Sequence, residues 1–218
     1  MLNPQASIDV IMFWLAIVAT MAFAITAVLA IADRGVDIFG VMVLGVITAV
    51  GGGTVRDLLL GVQPFWVEDL VFVRVAIFSS LLAFVGRSFF TQPQIFKLML
   101  YLDGLGAALF GIQGAMKTYE MAFGWPLAPV ILGVITAIGG GIMRDVIAGR
   151  KNLLMSTELY AIPVALGCLL LMVSLHFYPH RAIEILIGCT AVTFLMRAAA
   201  IHWGLTVPAF LVTHSKSQ

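Results

Sequence analysis

The chain has 218 residues, of which 61% are hydrophobic and only 11% are charged, and its mean hydropathy is +1.08. Soluble domains carry roughly a quarter charged residues, so this composition excludes an ordinary soluble protein. The formal net charge of +1 also excludes the strongly basic surface with which proteins bind nucleic acid.

Seven apolar runs follow one another along the chain, and short polar connections rich in Gly, Pro and charged residues separate them. Because about 20 apolar residues are needed to cross a bilayer, seven spans with short connections nearly exhaust the chain. We therefore predict an all-α membrane protein with one transmembrane domain over residues 1–218. The predicted spans are 9–32, 38–60, 67–88, 98–118, 126–148, 157–177 and 182–203.

The basic residues of the connections predict the orientation, because Lys and Arg are enriched in cytoplasmic loops. The connections after spans one, three and five, with the C-terminal tail, carry six such residues, and the other side carries two. The first set is Arg34, Arg87, Lys97, Arg150, Lys151 and Lys216, and the second is Lys117 and Arg181. We expect the N-terminus outside and the C-terminus in the cytoplasm.

An internal repeat is the most informative feature of the sequence. Residues 45–61 read GVITAVGGGTVRDLLLG, and residues 133–149 read GVITAIGGGIMRDVIAG. The offset is 88 residues, and 11 of the 17 positions are identical, which shared composition alone does not explain.

The two copies lie in spans two and five, so the second copy crosses the membrane in the opposite sense. This predicts an inverted 3+3 repeat, with repeat one over residues 9–88 and repeat two over residues 98–177. The seventh helix, residues 182–203, is an addition to this core. In such folds the functional site lies near the middle of the membrane, where the repeats meet.

Each copy contains three consecutive glycines, which cost about 1 kcal/mol each relative to Ala in a helix. One interpretation is a kinked or unwound turn whose carbonyls face a water-filled cavity and bind cations. The alternative is that small residues let two helices approach closely. The glycines are Gly51, Gly52 and Gly53 in the first copy, and Gly139, Gly140 and Gly141 in the second.

Each triplet is followed by an Arg-Asp pair, Arg56-Asp57 and Arg144-Asp145. Charged groups at this depth must pair, bind carbonyls or line water, because each costs about 2.5–3.5 kcal/mol in the bilayer centre. Neighbouring residues point about 100° apart on a helix, so we expect each Arg to find its partner on another span. An ion-pair network that locks the helices and a role in a pore or gate both remain open.

Other polar residues within or beside the spans are weaker candidates. Thr48 and Thr136 lie one turn before the glycine triplets, where a hydroxyl can bond its own helix or offer oxygen to a passing ion. Asp103 and Lys117 bracket the fourth span, and Glu158 lies at the start of the sixth. They are secondary site candidates, or interfacial anchors.

No motif in the sequence indicates an enzyme. The chain has no Ser-His-Asp set, no dinucleotide fingerprint and no phosphate-binding loop, and His176 and His180 lack the acidic residue of a zinc-protease helix. We therefore expect no catalytic residue, no metal and no cofactor.

The doubled element, followed by Pro64-Phe65-Trp66 in the first copy and by Thr157 to Ala161 in the second, resembles prokaryotic members of the trimeric intracellular cation (TRIC) channel family. Related bacterial proteins are also described as glycine transporters. The resemblance covers residues 9–205.

The resemblance implies a homotrimer in the plasma membrane of a prokaryote, in contact with membrane lipid, with a pore for potassium and sodium ions in each subunit. The kinked helices of spans two and five would line the pore, so that the glycine triplets and both Arg-Asp pairs become pore or gate residues. The alternative is a secondary transporter for glycine or a similar zwitterion, whose carboxylate and ammonium groups match Arg and Asp. A purely structural membrane protein is disfavoured, because buried ionisable groups usually mark a pathway.

Overall fold

The structure, a computed structural model, describes residues 4–89, 92–155 and 159–207. These residues form eight α-helices, together with 3-10 turns at Arg87–Phe89, Leu153–Met155 and Pro179–Arg181. The helices are α1 (Pro4–Ala30), α2 (Ile38–Leu59), α3 (Phe65–Glu68), α4 (Val71–Gly86), α5 (Gln92–Glu120), α6 (Leu127–Ile147), α7 (Ala161–Phe177) and α8 (Ala182–Trp203).

Within the described residues, five helices are long and apolar enough to cross a membrane, namely α1, α2, α5, α6 and α8. The predicted third and sixth spans correspond to α4 and α7, which are apolar but have only 16 and 17 residues. At 1.5 Å per residue these two helices extend about 24 to 26 Å, somewhat less than a hydrocarbon core of about 30 Å. The prediction of an all-α membrane fold is confirmed.

The third predicted span begins later than the sequence indicated, at Val71 instead of residue 67. The short helix α3 occupies the start of the predicted run, and α4 begins after Asp69. The Asp69 carboxylate accepts a hydrogen bond from the main-chain N–H of Val71 at 2.9 Å, which satisfies one free donor at the start of α4. Apolar composition alone does not reveal this break.

The two copies of the repeated element end in the same way, because a glycine in the left-handed conformation stops each helix. Gly61 has φ +71° and Gly149 has φ +57°, values that only glycine adopts without strain. The main-chain N–H after each glycine donates to the main-chain carbonyl of the repeated Asp. The distance is 3.0 Å from Val62 to Asp57 and 2.8 Å from Arg150 to Asp145. This is the Schellman arrangement, and it explains why both copies end in glycine.

The two repeats pack in equivalent ways. Helix α1 packs against α2 and α4, and in the same way α5 packs against α6 and α7. Contacts of α1 with α5 and of α2 with α6 join the two halves. Helix α8 packs against α5 and α7. The start of α1 lies beside the end of α5, since Gln113 Nε2 donates to the Met12 carbonyl at 3.1 Å. The end of α1 lies beside the end of α6, since Arg150 Nη1 donates to the Ala30 carbonyl at 2.8 Å. Helices α2 and α6 therefore end at opposite faces of the membrane.

Helices α2 and α6 cross at the glycine triplets. A Cβ atom added to Gly52 would overlap the main-chain carbonyl oxygen of Thr136, and one added to Gly140 would overlap that of Thr48. The contact is thus the same in both directions, with backbone against backbone. Both triplets lie within unbroken α-helix, so the expectation of an unwound turn is wrong. The glycines allow close approach of two helices instead, while a bend of the helix axes stays a prediction.

Candidate functional site

Asp57, near the end of α2, is the centre of the first cluster of buried charges. Its side chain is fully buried, and its Oδ1 atom accepts from Arg56 Nε at 2.8 Å and lies 2.9 Å from Lys117 Nζ of α5. Its Oδ2 atom accepts from the main-chain N–H of Phe65 in α3 at 2.9 Å. Two cations share one carboxylate, so this group, the Asp57 centre, carries a net charge of +1.

Arg144, near the end of α6, is the centre of the second cluster. Its Nε atom donates to Asp145 Oδ1 at 2.8 Å, and its Nη1 atom donates to Asp103 Oδ1 of α5 at 2.6 Å and to Thr26 Oγ1 of α1 at 3.0 Å. The Asp145 Oδ2 atom accepts from the main-chain N–H of Leu153 at 3.4 Å. One cation faces two carboxylates, so this group, the Arg144 centre, carries a net charge of −1.

The Arg-Asp pairing corrects one expectation from the sequence. In both copies the Arg bonds the Asp next to it. Arg144 also binds Asp103 of α5, whereas Arg56 shares Asp57 with Lys117 of α5. Near a helix end the long Arg side chain can fold back, so a difference of 100° between neighbouring Cβ directions does not prevent the contact. The repeat thus determines the pair, while α5 supplies a cation to one centre and an anion to the other.

A cavity of about 440 Å³ opens beside the Asp57 centre. Arg56, Gln113 and Lys117 contribute its polar walls, and Phe65 and Phe110 are among the aromatic residues that line it. Four carboxylates also line this cavity, namely Asp9, Glu68, Asp69 and Glu120. The Asp57 centre is therefore accessible from the membrane face at which α1 begins.

The Arg144 centre is closed to solvent in the same structure. The side chains of Arg144 and Asp103 are 0% exposed, and that of Asp145 is 3% exposed. Tyr160, at the start of α7, covers the centre, since a Cβ atom at Gly141 would lie 2.9 Å from its hydroxyl and 3.4 Å from Asp103 Oδ1. The Arg197 guanidinium of α8 lies 4.8 Å from the Tyr160 ring centroid.

One face of α5 connects the two centres. Asp103, Gly106, Phe110, Gln113 and Lys117 follow at intervals of three and four residues, which place them on one side of a helix. Asp103 binds the Arg144 centre at one end, and Lys117 binds the Asp57 centre at the other. The two residues are 14 positions apart, about 21 Å along the helix axis.

The predicted site residues are distributed as follows. Gly53 faces Phe65, and Gly141 faces Tyr160, so the third glycine of each triplet lies beside a charge centre. The Thr48 and Thr136 hydroxyls are buried and donate to carbonyls of their own helices at 2.7 and 2.6 Å. Gly51 faces Met143, and Gly139 faces Gly52. Glu158 lies outside the described residues.

Several residues of the two centres escaped the sequence analysis. Thr26 carries no signal in its own segment, because a Thr in an apolar run is typical of a core residue. Phe65 and Tyr160 entered the sequence analysis only as part of the family resemblance, without a role of their own. The repeat offers one clue in retrospect, since the offset of 88 residues places Tyr160 opposite Phe72. A polar hydroxyl in the second copy replaces a plain ring in the first.

The sequence is similar to families and proteins already known. A family model described as "Glycine transporter" matches residues 13–88 and residues 100–176, one segment within each predicted repeat. The chain is 40% identical over 203 residues to the UPF0126 inner membrane protein YadS of Escherichia coli K12, with 92% of this chain and 96% of that protein covered.

Two solved structures share the fold. The TRIC channel orthologue from Rhodobacter sphaeroides superposes with a TM-score of 0.83 at 32% identity, over 89% of this chain and 99% of that one. A prokaryotic TRIC channel crystallised in 0.5 M KCl superposes with a TM-score of 0.84 at 26% identity, over 91% of this chain and 100% of that one.

Proposed function

The chain belongs to the glycine transporter family, which includes the TRIC channels, and on that premise we propose that it is a passive channel for monovalent cations, potassium and sodium. The protein would lie in the inner membrane of a bacterium, as its relative YadS does by name, and would assemble as a trimer with a pathway in each subunit.

The observation that carries this proposal is the pair of buried charge centres, one towards each face of the membrane, joined by one face of α5. Ionisable groups inside a membrane are expensive and usually mark the path of an ion or substrate. The cavity at the Asp57 centre supplies an entrance to such a path.

The proposal assigns the pathway to the α5 face and to the ends of α2 and α6, not to the crossing of α2 with α6. The crossing brings backbone against backbone and leaves no room for an ion. Gly53, Arg56 and Asp57 would then line one end of the path, and Gly141, Arg144 and Asp145 the other, with Asp103 and Lys117 contributed by α5. The remaining glycines and both threonines would support this arrangement from within α2 and α6.

A transporter of glycine is the second candidate, which the name of the family favours. The Arg56 guanidinium beside four cavity carboxylates suits a small zwitterion, and an inverted repeat suits alternating access. In this structure the Asp57 side is open and the Arg144 side is closed, an arrangement that both functions use.

Single-channel recording of the purified protein in planar bilayers under a potassium chloride gradient distinguishes a channel from a transporter. A channel gives discrete currents whose reversal potential moves towards that of potassium. A Gly53→Ala variant should alter these currents, because its Cβ would meet the Phe65 ring at 2.5 Å, whereas Gly188→Ala, with open space around it, should not. Silent bilayers together with saturable uptake of radiolabelled glycine into vesicles of the same preparation would establish the transporter instead.

A further inference from the structure

The cavity at the Asp57 centre ends on aromatic rings. Phe65 and Phe72 are in edge contact with centroids 4.9 Å apart, and the Phe65 and Phe110 centroids are 6.3 Å apart. Behind them Phe110 stacks on Phe23, with centroids 5.7 Å apart and planes inclined by 9°. An apolar layer of rings therefore separates the open cavity from the closed Arg144 centre.

Phe110 lies on the α5 face that joins the two centres. It stands between Gln113, which lines the cavity, and Gly106, whose missing side chain makes room for the Phe23 ring. A pathway along this face must therefore pass the rings of Phe65, Phe110 and Phe23.

Phe65 is held in place by the Asp57 centre itself. Its main-chain N–H donates to Asp57 Oδ2 at 2.9 Å, while Oδ1 of the same carboxylate receives Arg56 and Lys117. The next residue, Trp66, donates from Nε1 to Thr54 Oγ1 of α2 at 2.9 Å. These two hydrogen bonds fix the short helix α3 against α2.

The ring of Phe65 also fills the space that Gly53 leaves open, since a Cβ there would lie 2.5 Å from Phe65 Cε1. At the equivalent place of the second repeat, Gly141 faces the Tyr160 hydroxyl and the Asp103 carboxylate. The surroundings of the third glycine therefore differ between the repeats, because an apolar ring faces Gly53 and polar groups face Gly141.

We propose that Phe65, with Phe110 and Phe23 behind it, forms an apolar barrier that controls ion passage between the cavity and the Arg144 centre, and that Asp57 holds the barrier closed through the Phe65 main chain. This inference rests on the proposed channel function. An apolar constriction stops ions by excluding water, so the polarity of the side chain at position 65 matters as well as its size.

The experiment compares Phe65→Asn with Phe65→Leu, which also removes the ring but stays apolar. If the barrier acts by excluding water, Phe65→Asn raises the open probability roughly tenfold above that of Phe65→Leu. Equal changes in both variants would overturn the proposal, because size alone would then control passage. Unchanged open probability in both, with folding confirmed by size-exclusion chromatography and thermal melting, would overturn it too.

A second readout does not depend on current. In a background with Cys168 and Cys189 replaced by Ser, Thr26→Cys places a thiol beyond the barrier, at the Arg144 centre, where the Thr26 hydroxyl accepts a hydrogen bond from Arg144. Silver ions, which are close in size to potassium ions, should modify this thiol faster after Phe65→Asn than after Phe65→Leu, in detergent and without any voltage.

The current and the rate of silver modification together distinguish a failure of the barrier proposal from a failure of the proposed channel function. Faster silver modification in a protein that carries no current would keep the barrier and refute the channel. Currents that Phe65→Asn does not change, with equal silver rates in all variants, would keep the channel and refute the barrier.

Discussion

The glycine crossing between α2 and α6 allows a quantitative test of the fold. The test replaces Gly52 or Gly140 by Ala, and the control replaces Gly188 of α8, around which an added Cβ meets nothing within 4 Å. All three positions lie inside helices, so each variant gains about the same 1 kcal/mol of helix propensity. The comparison therefore isolates the effect of the crossing.

The magnitude follows from the atoms that the new methyl group would meet. At Gly52 and Gly140 these are main-chain carbonyl oxygens of the facing helix, which cannot rotate away as a side chain can. The helices must separate, and overpacking of this kind costs about 1–3 kcal/mol. For a domain of this size each kcal/mol corresponds to about 2–4 °C, so both variants should melt about 2–12 °C below Gly188→Ala.

The assay is thermal melting of the purified variants in one detergent. Melting is measured as the loss of the folded peak in size-exclusion chromatography after heating. The near-equality of the two contacts adds an internal check, since Gly52→Ala and Gly140→Ala should lose similar stability. Melting of both variants within about 1 °C of the Gly188→Ala control would refute the backbone-to-backbone crossing.

Three further predictions concern the charges and the topology. Arg144→Gln should cost about 3–5 kcal/mol, because it leaves the buried carboxylates of Asp103 and Asp145 without their cation. Asp103→Asn should cost less, because Arg144 keeps Asp145 as its partner, and the double variant should cost less than the sum. A double-mutant cycle of melting temperatures measures this, and additive losses would contradict it. Lys117→Gln should destabilise less than Arg56→Gln in the same melts, because the Lys117 side chain is 31% exposed and that of Arg56 only 6%, although both bind Asp57. A reporter fused to the C-terminus should be active on the cytoplasmic side, and activity outside would reverse the orientation.

The sequence predicted much of the architecture because long apolar runs identify membrane-spanning helices. Composition excluded a soluble fold, and seven runs predicted seven spans, of which α4 and α7 proved the shortest. The predicted helix ends were less accurate where a side chain caps a helix. Asp69 caps the start of α4, which begins at Val71, four residues later than predicted.

The repeat also predicted which residues would form the candidate site. Arg56, Asp57, Arg144 and Asp145 could be found because each pair returns with its glycines at a constant offset. The conformation of the triplets was harder to predict. Three glycines weaken a helix and also allow another helix to come close, and only the presence of α6 against α2 decides between these effects.

What the sequence determined by itself was thus the class of protein, the inverted repeat, the family and the residues whose charge a membrane must accommodate. The tertiary structure alone decided their partners. It placed Lys117 on Asp57 and Asp103 on Arg144, opened a cavity at one centre, and closed the other beneath Tyr160. The physical reason is that a sequence gives positions along each helix, whereas the rotation and depth of neighbouring helices depend on how their side chains pack together.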